Sequence, residues 1–455
     1  MRTIGRLVLL LALACSFVPV ASAEWKEKVL YSFQGAPDGA VPAGGVVFDK
    51  TGNLYGATNG GGSSSCDGPG QCGTVYQLTP PTHKGGAWTE TVLYIFKDHA
   101  QNDGATPEGG LLINEAGNLY GTTGYGGSGP CLLLGGAVGC GTVYELSPPA
   151  KQGDPWTETV IYSFQGGKDG YVASGDLVFD TAGNLYGATL FGGGKGTTCD
   201  SLYGGQCGTV FKLSPPKTKG GQWTEKVLHR FAGGTDGAEP NGGLVLDSEG
   251  AVYGTTSSGG NQICKGDGYL GCGTVFKLAP SVGSHWAETT LHRFQGYPND
   301  GELPLAGLVF DSGGSLYGTT TGGGDQGEGT VFALKHPTGK VAKWNEALLH
   351  QFTAGHDGAV PMAPLTLNPF GTLLGTASIG GTVGGGSVFL LRVSGGHVWT
   401  FSALYTFKGS PDGSYPASGL TQSPSGNYYG TTQQSGDTGQ NCGHVGCGVV
   451  FEVKP

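Results

Sequence analysis

The stretch Gly109-Gly110-Leu111-Leu112-Ile113-Asn114-Glu115-Ala116-Gly117-Asn118-Leu119-Tyr120-Gly121-Thr122-Thr123, followed at Gly141 by Gly-Thr-Val-Tyr-Glu-Leu, decides the fold. It holds three short runs rich in Leu, Ile, Val, Tyr and Thr, separated by Gly and Asn, and such runs are strands. A fourth run precedes them, from Trp88 to Phe96. The same four-run unit recurs along the chain. Trp marks its start at Trp25, Trp88, Trp156, Trp223, Trp286, Trp344 and Trp399, and a Phe stands eight residues after each. An Asp-Gly pair follows in every copy, beginning at Asp38, Asp103, Asp169, Asp236, Asp300, Asp357 and Asp412. Seven units of four strands predict an all-β seven-bladed β-propeller with four-stranded antiparallel blades.

Composition agrees. Gly (91) and Pro (25) make about a quarter of the 455 residues, yet aromatics reach 10% and recur at fixed intervals, so the glycine is turn material of a folded repeat. Only two Met and almost no Ala/Glu/Lys/Leu-rich stretches occur, which argues against helical bundles, and the absence of a Gly-X-Y period removes collagen. Arg2 and Arg6, the apolar Leu7 to Val18 and Ala21-Ser22-Ala23 read as a secretory leader, giving a signal peptide over 1–23 and a propeller domain over 24–455. A lipid anchor through Cys15, or retention in a periplasm, is the alternative to secretion. The formal net charge of −10 becomes −12 once the two arginines leave. Such acidity disfavours nucleic acid and anionic membrane as partners, and no transmembrane segment is expected after the leader. The mature chain is expected to be a monomer.

The Gly-Gly-Leu-Val-Phe-Asp run is expected innermost and the Trp run outermost, a phase resembling NHL-type and lactonase-like propellers. The first Trp strand then completes the last blade and closes the ring. The rival phase puts the Trp strand innermost. Within Val29-Leu30-Tyr31-Ser32-Phe33, alternation puts Val29, Tyr31 and Phe33 on one face. Asp49-Lys50-Thr51-Gly52-Asn53 reads as a tight turn with Gly and Asn at positive φ.

Length changes concentrate between the Tyr of the third run and the next Gly-Thr-Val: 18 residues from Tyr55 to Gly73, 22 from Tyr186 to Gly208, 12 from Tyr317 to Gly329. Variable loops on one face mark the binding face of repeat arrays. The ten Cys outside the leader fall there as local pairs, expected as disulfides: Cys66 with Cys72, Cys131 with Cys140, Cys199 with Cys207, Cys264 with Cys272, and Cys442 with Cys447. Zinc fits these spacings poorly.

The Asp of each Asp-Gly pair is expected to cap backbone amides, and the Glu two after Trp (Glu27, Glu90, Glu158, Glu225, Glu288, Glu346) to be solvated. His229, His292 and His350 replace Tyr in a structural slot. Positions that break the repeat carry more information. Five residues after each Asp stand Ala43, Glu108, Ser174, Asn241, Leu305, Met362 and Ala417, expected at the channel mouth. Glu108, Asp176 and Asn241 are the ligand-binding candidates there, with His99, His356 and His444 in loops of the same face. Lactonase-like propellers hold calcium with such residue types, so calcium at Glu108, Asp176 and Asn241 is the alternative to a site without metal or cofactor.

The unit from Gly183 to Thr189 with Cys207 to Pro216, and that from Gly117 to Thr123 with Cys140 to Pro149, resembles the GloVer (Gloeobacter/Verrucomicrobia) tandem repeat. Repeat six departs from it at Leu373-Leu374-Gly375-Thr376-Ala377. The resemblance implies an exported repeat protein and supplies no reaction. The expected function is a secreted, non-catalytic module that binds a glycan, peptide or envelope partner. A calcium-dependent lactonase-like, phosphotriesterase-like or polysaccharide-acting enzyme and a structural surface protein are the alternatives.

Overall fold

Short strands with one residue in two facing a neighbouring sheet can be satisfied only by stacking sheet on sheet. The chain does this seven times. The structure, a computed structural model, describes residues 25–63, 72–97, 99–133, 136–151, 153–194, 207–218, 220–260, 264, 271–338, 343–394, 398–436, 442 and 446–455. The leader expected over 1–23 lies outside the described residues.

Blade 1 runs outward from Val47–Phe48 through Leu54–Gly61 and Thr74–Thr79 to Thr89–Ile95. Blades 2 to 6 repeat this order, with outer strands Thr157–Ser163, Thr224–Arg230, Trp286–Arg293, Asn345–Gln351 and Val398–Thr406. Blade 7 takes Thr421–Gln422, Tyr428–Thr432 and Val449–Lys454 from the end of the chain, and Lys26–Ser32 from its start. The Gly-Gly-Leu-Val run is therefore innermost, the Trp run outermost, and the first strand closes the ring. Lys26 pairs with Lys454 and Ser32 with Val449, all antiparallel.

Each blade interface repeats one packing arrangement. The Phe eight residues after Trp meets, edge to face, the aromatic ring of the next blade's Gly-Thr-Val-Phe strand, as in Phe96 with Tyr144 and Phe294 with Phe332, centroids 5.0 and 5.1 Å apart. That second ring covers the Gly of Leu-Tyr-Gly-Thr-Thr: a Cβ on Gly121 would lie 2.4 Å from the Tyr144 hydroxyl, so only glycine fits. The Thr residues of the two motifs bond to each other in the core, Thr58 to Thr74 and Thr123 to Thr142.

Two expectations are corrected. Every outer strand carries a bulge, between Val29 and Tyr31 in blade 7 and at the equivalent place in blades 1 to 6. The extra residue flips the strand's face midway. Trp25 and Val29 thus pack in the core between blades 6 and 7, whereas Tyr31 and Phe33 pack in that between blades 7 and 1. In the Asp49 turn only Gly52 takes positive φ, at 90°. The Asn53 amide instead donates to Asp49 Oδ2 at 2.8 Å.

Three disulfides join Cys131 to Cys140, Cys264 to Cys272 and Cys442 to Cys447. Cys72 and Cys207 are also disulfide-bonded. Cys66 and Cys199 lie outside the described residues. These bonds fit an oxidising compartment. Among the described residues no helix is long and apolar enough to cross a membrane.

Candidate functional site

The chain leaves each outer strand on the face that also bears the variable loops, and the Asp-Gly segment carries it inward to the axis. Asp38 fixes this turn. Its carboxylate accepts from the Tyr31 hydroxyl at 3.0 Å and from the backbone N–H groups of Gln34 and Gly39 at 2.9 and 2.6 Å. Where His replaces Tyr, its Nε2 faces the same Asp: His229 with Asp236 at 3.1 Å, His292 with Asp300 at 3.3 Å, His350 with Asp357 at 3.1 Å. The Asp caps amides as expected, and the histidines occupy the structural slot.

Three residues on, Val41, Thr106, Val172, Glu239, Leu303, Val360 and Tyr415 all take φ between 53° and 60°, a costly conformation for residues with a Cβ. It is held because each N–H donates to a carbonyl of the preceding blade's variable loop: Val41 to Cys447 at 2.9 Å, Glu239 to Cys207 at 2.8 Å, Leu303 to Cys272 at 3.0 Å. In the disulfide-free blades Glu328 and Gly385 accept instead, from Val360 and Tyr415. Each loop is thereby tied to the next blade's approach to the axis.

At the axis the inner strands almost touch. A Cβ on Gly44 would lie 2.4 Å from the Gly110 nitrogen, and one on Gly242 2.4 Å from the Ala306 carbonyl. The remaining cavity, about 140 Å³, is lined by Ala43, Glu108, Asp176, Asn241, Leu305, Met362 and Ala417 among others. Six of the seven expected positions, Glu108 among them, therefore reach the axis. Ser174 does not line it: it is buried, and its hydroxyl donates to the Pro240 carbonyl at 3.3 Å. Asp176 occupies a place where other copies have Gly110, Gly243 or Gly307.

Glu108, Asp176 and Asn241 share this cavity, but each carboxylate has its own partner. Glu108 Oε1 accepts from Asn59 Nδ2 at 3.3 Å, and burial pushes its carboxyl up to about 7. Asp176 Oδ1 accepts from the Gly110 N–H, and burial raises its carboxyl as well. Two carboxyls and an amide around so small a space suit a single cation or a few hydroxyls, not an extended substrate.

The loop histidines are spread around the ring. His99, in the segment entering blade 2, is held by Nδ1 against the Gly127 carbonyl at 2.7 Å. His356, entering blade 6, is exposed. His444 lies outside the described residues. A polar group not foreseen lies at Glu239, whose Oε2 accepts from the Ser258 and Ser257 hydroxyls at 2.9 and 3.3 Å. Its signal was present: six of the seven equivalent positions are uncharged.

Outside the axis, one nitrogen or oxygen each of His292, Asp300 and Glu346 lies within 4.8 Å of the others. The same three positions are His229, Asp236 and Glu288 at another interface, and carry Tyr in place of His at four more, so the grouping belongs to the repeat. A second close group, Cys264, Cys272 and Glu302, has its cysteines in a disulfide.

The model of the Gloeobacter/Verrucomicrobia repeat family matches residues 19–198 and 132–368, and the chain belongs to this family. No curated protein matches significantly. Solved structures similar to the chain include a PQQ-bound aldose sugar dehydrogenase from Streptomyces coelicolor, at 13% identity, TM-score 0.41, covering 95% of this chain and 99% of that one. The PQQ domain of a pyranose dehydrogenase from Coprinopsis cinerea matches at 12% identity and TM-score 0.44, over 95% and 96%. The NanB sialidase of Streptococcus pneumoniae matches at 11% and 0.41, over 94% and 70%. At these values the likeness carries no functional argument.

Proposed function

We propose that the protein is an exported, non-catalytic binding module that engages a glycan, peptide or cell-envelope partner through its loop-bearing face. The carrying observation is that blade-to-blade variation is concentrated there. The opposite face repeats one turn in which Asp49, Asp180, Asp247 or Asp311 accepts from two backbone amides and a Tyr hydroxyl. The loop face instead differs most in length from blade to blade; it exposes the large apolar side chains Leu132, Tyr297, Ile379 and Val383, as the opposite face does Val282 and Phe370. Leu132, inside the loop closed by Cys131 and Cys140, gives apolar contact area at low ordering cost. Export follows from the leader and fits the disulfides.

A glycan and peptide panel titrated calorimetrically against the protein tests this, with each ligand recovered and analysed afterwards. The expected result is saturable binding with the ligand unaltered, lost when residues 128–140 are replaced by the short loop of blade 5, Gly323 to Glu328. Chelator-sensitive turnover of any ester, lactone or glycan would overturn it in favour of an enzyme built on the axial carboxyls.

A further inference from the structure

The glutamates two residues after Trp were expected in solvent, and the structure turns them inward. They are half-buried, and Oε1 of Glu27, Glu90, Glu158, Glu225 and Glu346 is shut off from water without a hydrogen-bond partner. An orphaned, buried carboxylate oxygen is costly. Each faces the Asp of the Asp-Gly turn at the interface with the preceding blade: Glu27 faces Asp412, Glu90 Asp38, Glu158 Asp103, Glu225 Asp169, Glu288 Asp236 and Glu346 Asp300. Those aspartates already accept from Tyr or His and from backbone amides. A carboxylate has about four acceptor positions, and the bonds described leave room for one more donor. Two facing carboxylates cannot both be charged in such a place, but one proton between them satisfies both.

We propose that a proton held between an outer-strand glutamate and the aspartate of the adjoining turn closes five of the seven blade interfaces, those of Glu27, Glu90, Glu158, Glu225 and Glu346, so that the ring is firm in mild acid and loosens above neutrality. Two interfaces act as internal controls. Glu288 takes a hydroxyl donor from Thr290 at 3.1 Å, and its Oε1 is not orphaned. At the seventh interface Phe401 replaces Glu, and the ring stacks on His350 with centroids 4.0 Å apart. No proton is needed there.

Other charged and titratable groups modify the closure. Lys408 lies near Glu27, Lys97 near Glu158, Arg230 near Glu225, and His229 and Arg293 near Glu288, all favouring the anion. His292 lies beside Glu346. Tyr405 faces Glu27, Tyr31 and Tyr76 face Glu90, Tyr94 and Tyr144 face Glu158, and Tyr162 faces Glu225. Burial, and after it the facing aspartate, still dominates. Glu90 and Glu225 are pushed up to about 7, and Glu27, Glu158 and Glu346 to about 8.

A glutamate raised in the folded state contributes stability that is complete below its ordinary value near 4.5 and lost as pH rises through the folded value, here about 7 to about 8. His350 has the opposite sign. Burial lowers it, so its contribution is lost as pH falls.

The test is thermal unfolding of the purified protein at constant ionic strength, without reductant, from about pH 5 to about pH 9. The expected midpoint falls by several degrees from the acid to the alkaline side of neutrality. In the E90Q/E158Q/E225Q/E346Q variant the amide donates to each Asp at every pH, so the fall shrinks and the midpoint at the alkaline end exceeds that of the parent. A parent midpoint flat or rising across this range overturns the proposal, as does an undiminished slope in the variant. Should the fourfold variant not fold, carboxyl carbon NMR of the parent decides: glutamate resonances titrating near neutrality support the shared proton, and all of them titrating below about pH 5.5 refute it.

Discussion

Asp103 shows how much one repeated side chain holds. It accepts from the Tyr94 hydroxyl at 2.7 Å and from the N–H groups of Lys97 and Gly104 at 2.9 and 2.7 Å, and it is itself buried. Burial outweighs these bonds and keeps its carboxyl above the usual range. Asp103→Ala strands three donors where water reaches poorly, and it should cost about 2–4 kcal/mol of stability in urea unfolding. Asp103→Asn keeps acceptors at one oxygen and should cost about half as much. A loss under about 0.5 kcal/mol for the alanine variant would show that the turn is held by something else. The Asp itself, and the kinship of Tyr and His in the slot before it, were legible because both recur at fixed spacing. The role of Glu158 opposite was not. As a charged residue it reads as solvated, although its even spacing from Trp156 gives it the face that packs on the preceding blade. The bulge after it hides a second fact, that Tyr162 and Phe164 turn to the other face, and a bulge leaves no mark in composition.

The bulge also lets one outer strand serve two interfaces: its first half packs on the preceding blade and its second half on the next. The variable loops complete the element. Their long form with two cysteines and short form with none announced the disulfides, and three pairs join as expected. Closing a loop with a sequence separation of 9, as Cys131 and Cys140 do, should stabilise the protein by about 2–3 kcal/mol in the chain-entropy account. The double variant Cys131→Ser with Cys140→Ser should lose that amount in non-reducing unfolding. In dithiothreitol, which opens the remaining bonds of both proteins, the difference should shrink towards zero. A difference that persists under reduction would mean that packing of the cysteine side chains, rather than the crosslink, supplied the stability. The axial candidates were legible for a different reason. Glu108 and Asn241 break the repeat at a register set by the Asp-Gly pair. Asp176 reaches the axis because it replaces a glycine of the inner ring, where its side chain lies against Gly110 and Gly243. Glu239 breaks the repeat two residues earlier, in the approach to the axis rather than at the channel mouth.

At the scale of the whole molecule the ring depends on a join between the two ends of the described chain. Lys26–Ser32 covers Val449–Lys454, which would otherwise present an unpaired edge at the outside of blade 7. Leu30 and Phe33 are buried between blades 7 and 1, while Trp25 and Val29 complete the core between blades 6 and 7. Removing residues 25–33 therefore strips two interfaces at once, together with Glu27 and its partner Asp412. The truncated protein is expected to unfold at a markedly lower temperature and to self-associate through the bared edge, as seen by light scattering after size exclusion. A synthetic peptide of residues 25–34, added in excess, should restore the monomer and part of the lost stability, since it binds only the folded edge. Restoration is the informative arm, because a lower midpoint alone is shared by any core deletion. If the truncated chain stays monomeric with an unchanged midpoint, the first strand does not close the ring, and the axial cavity and the loop face lose the rigid frame that positions them.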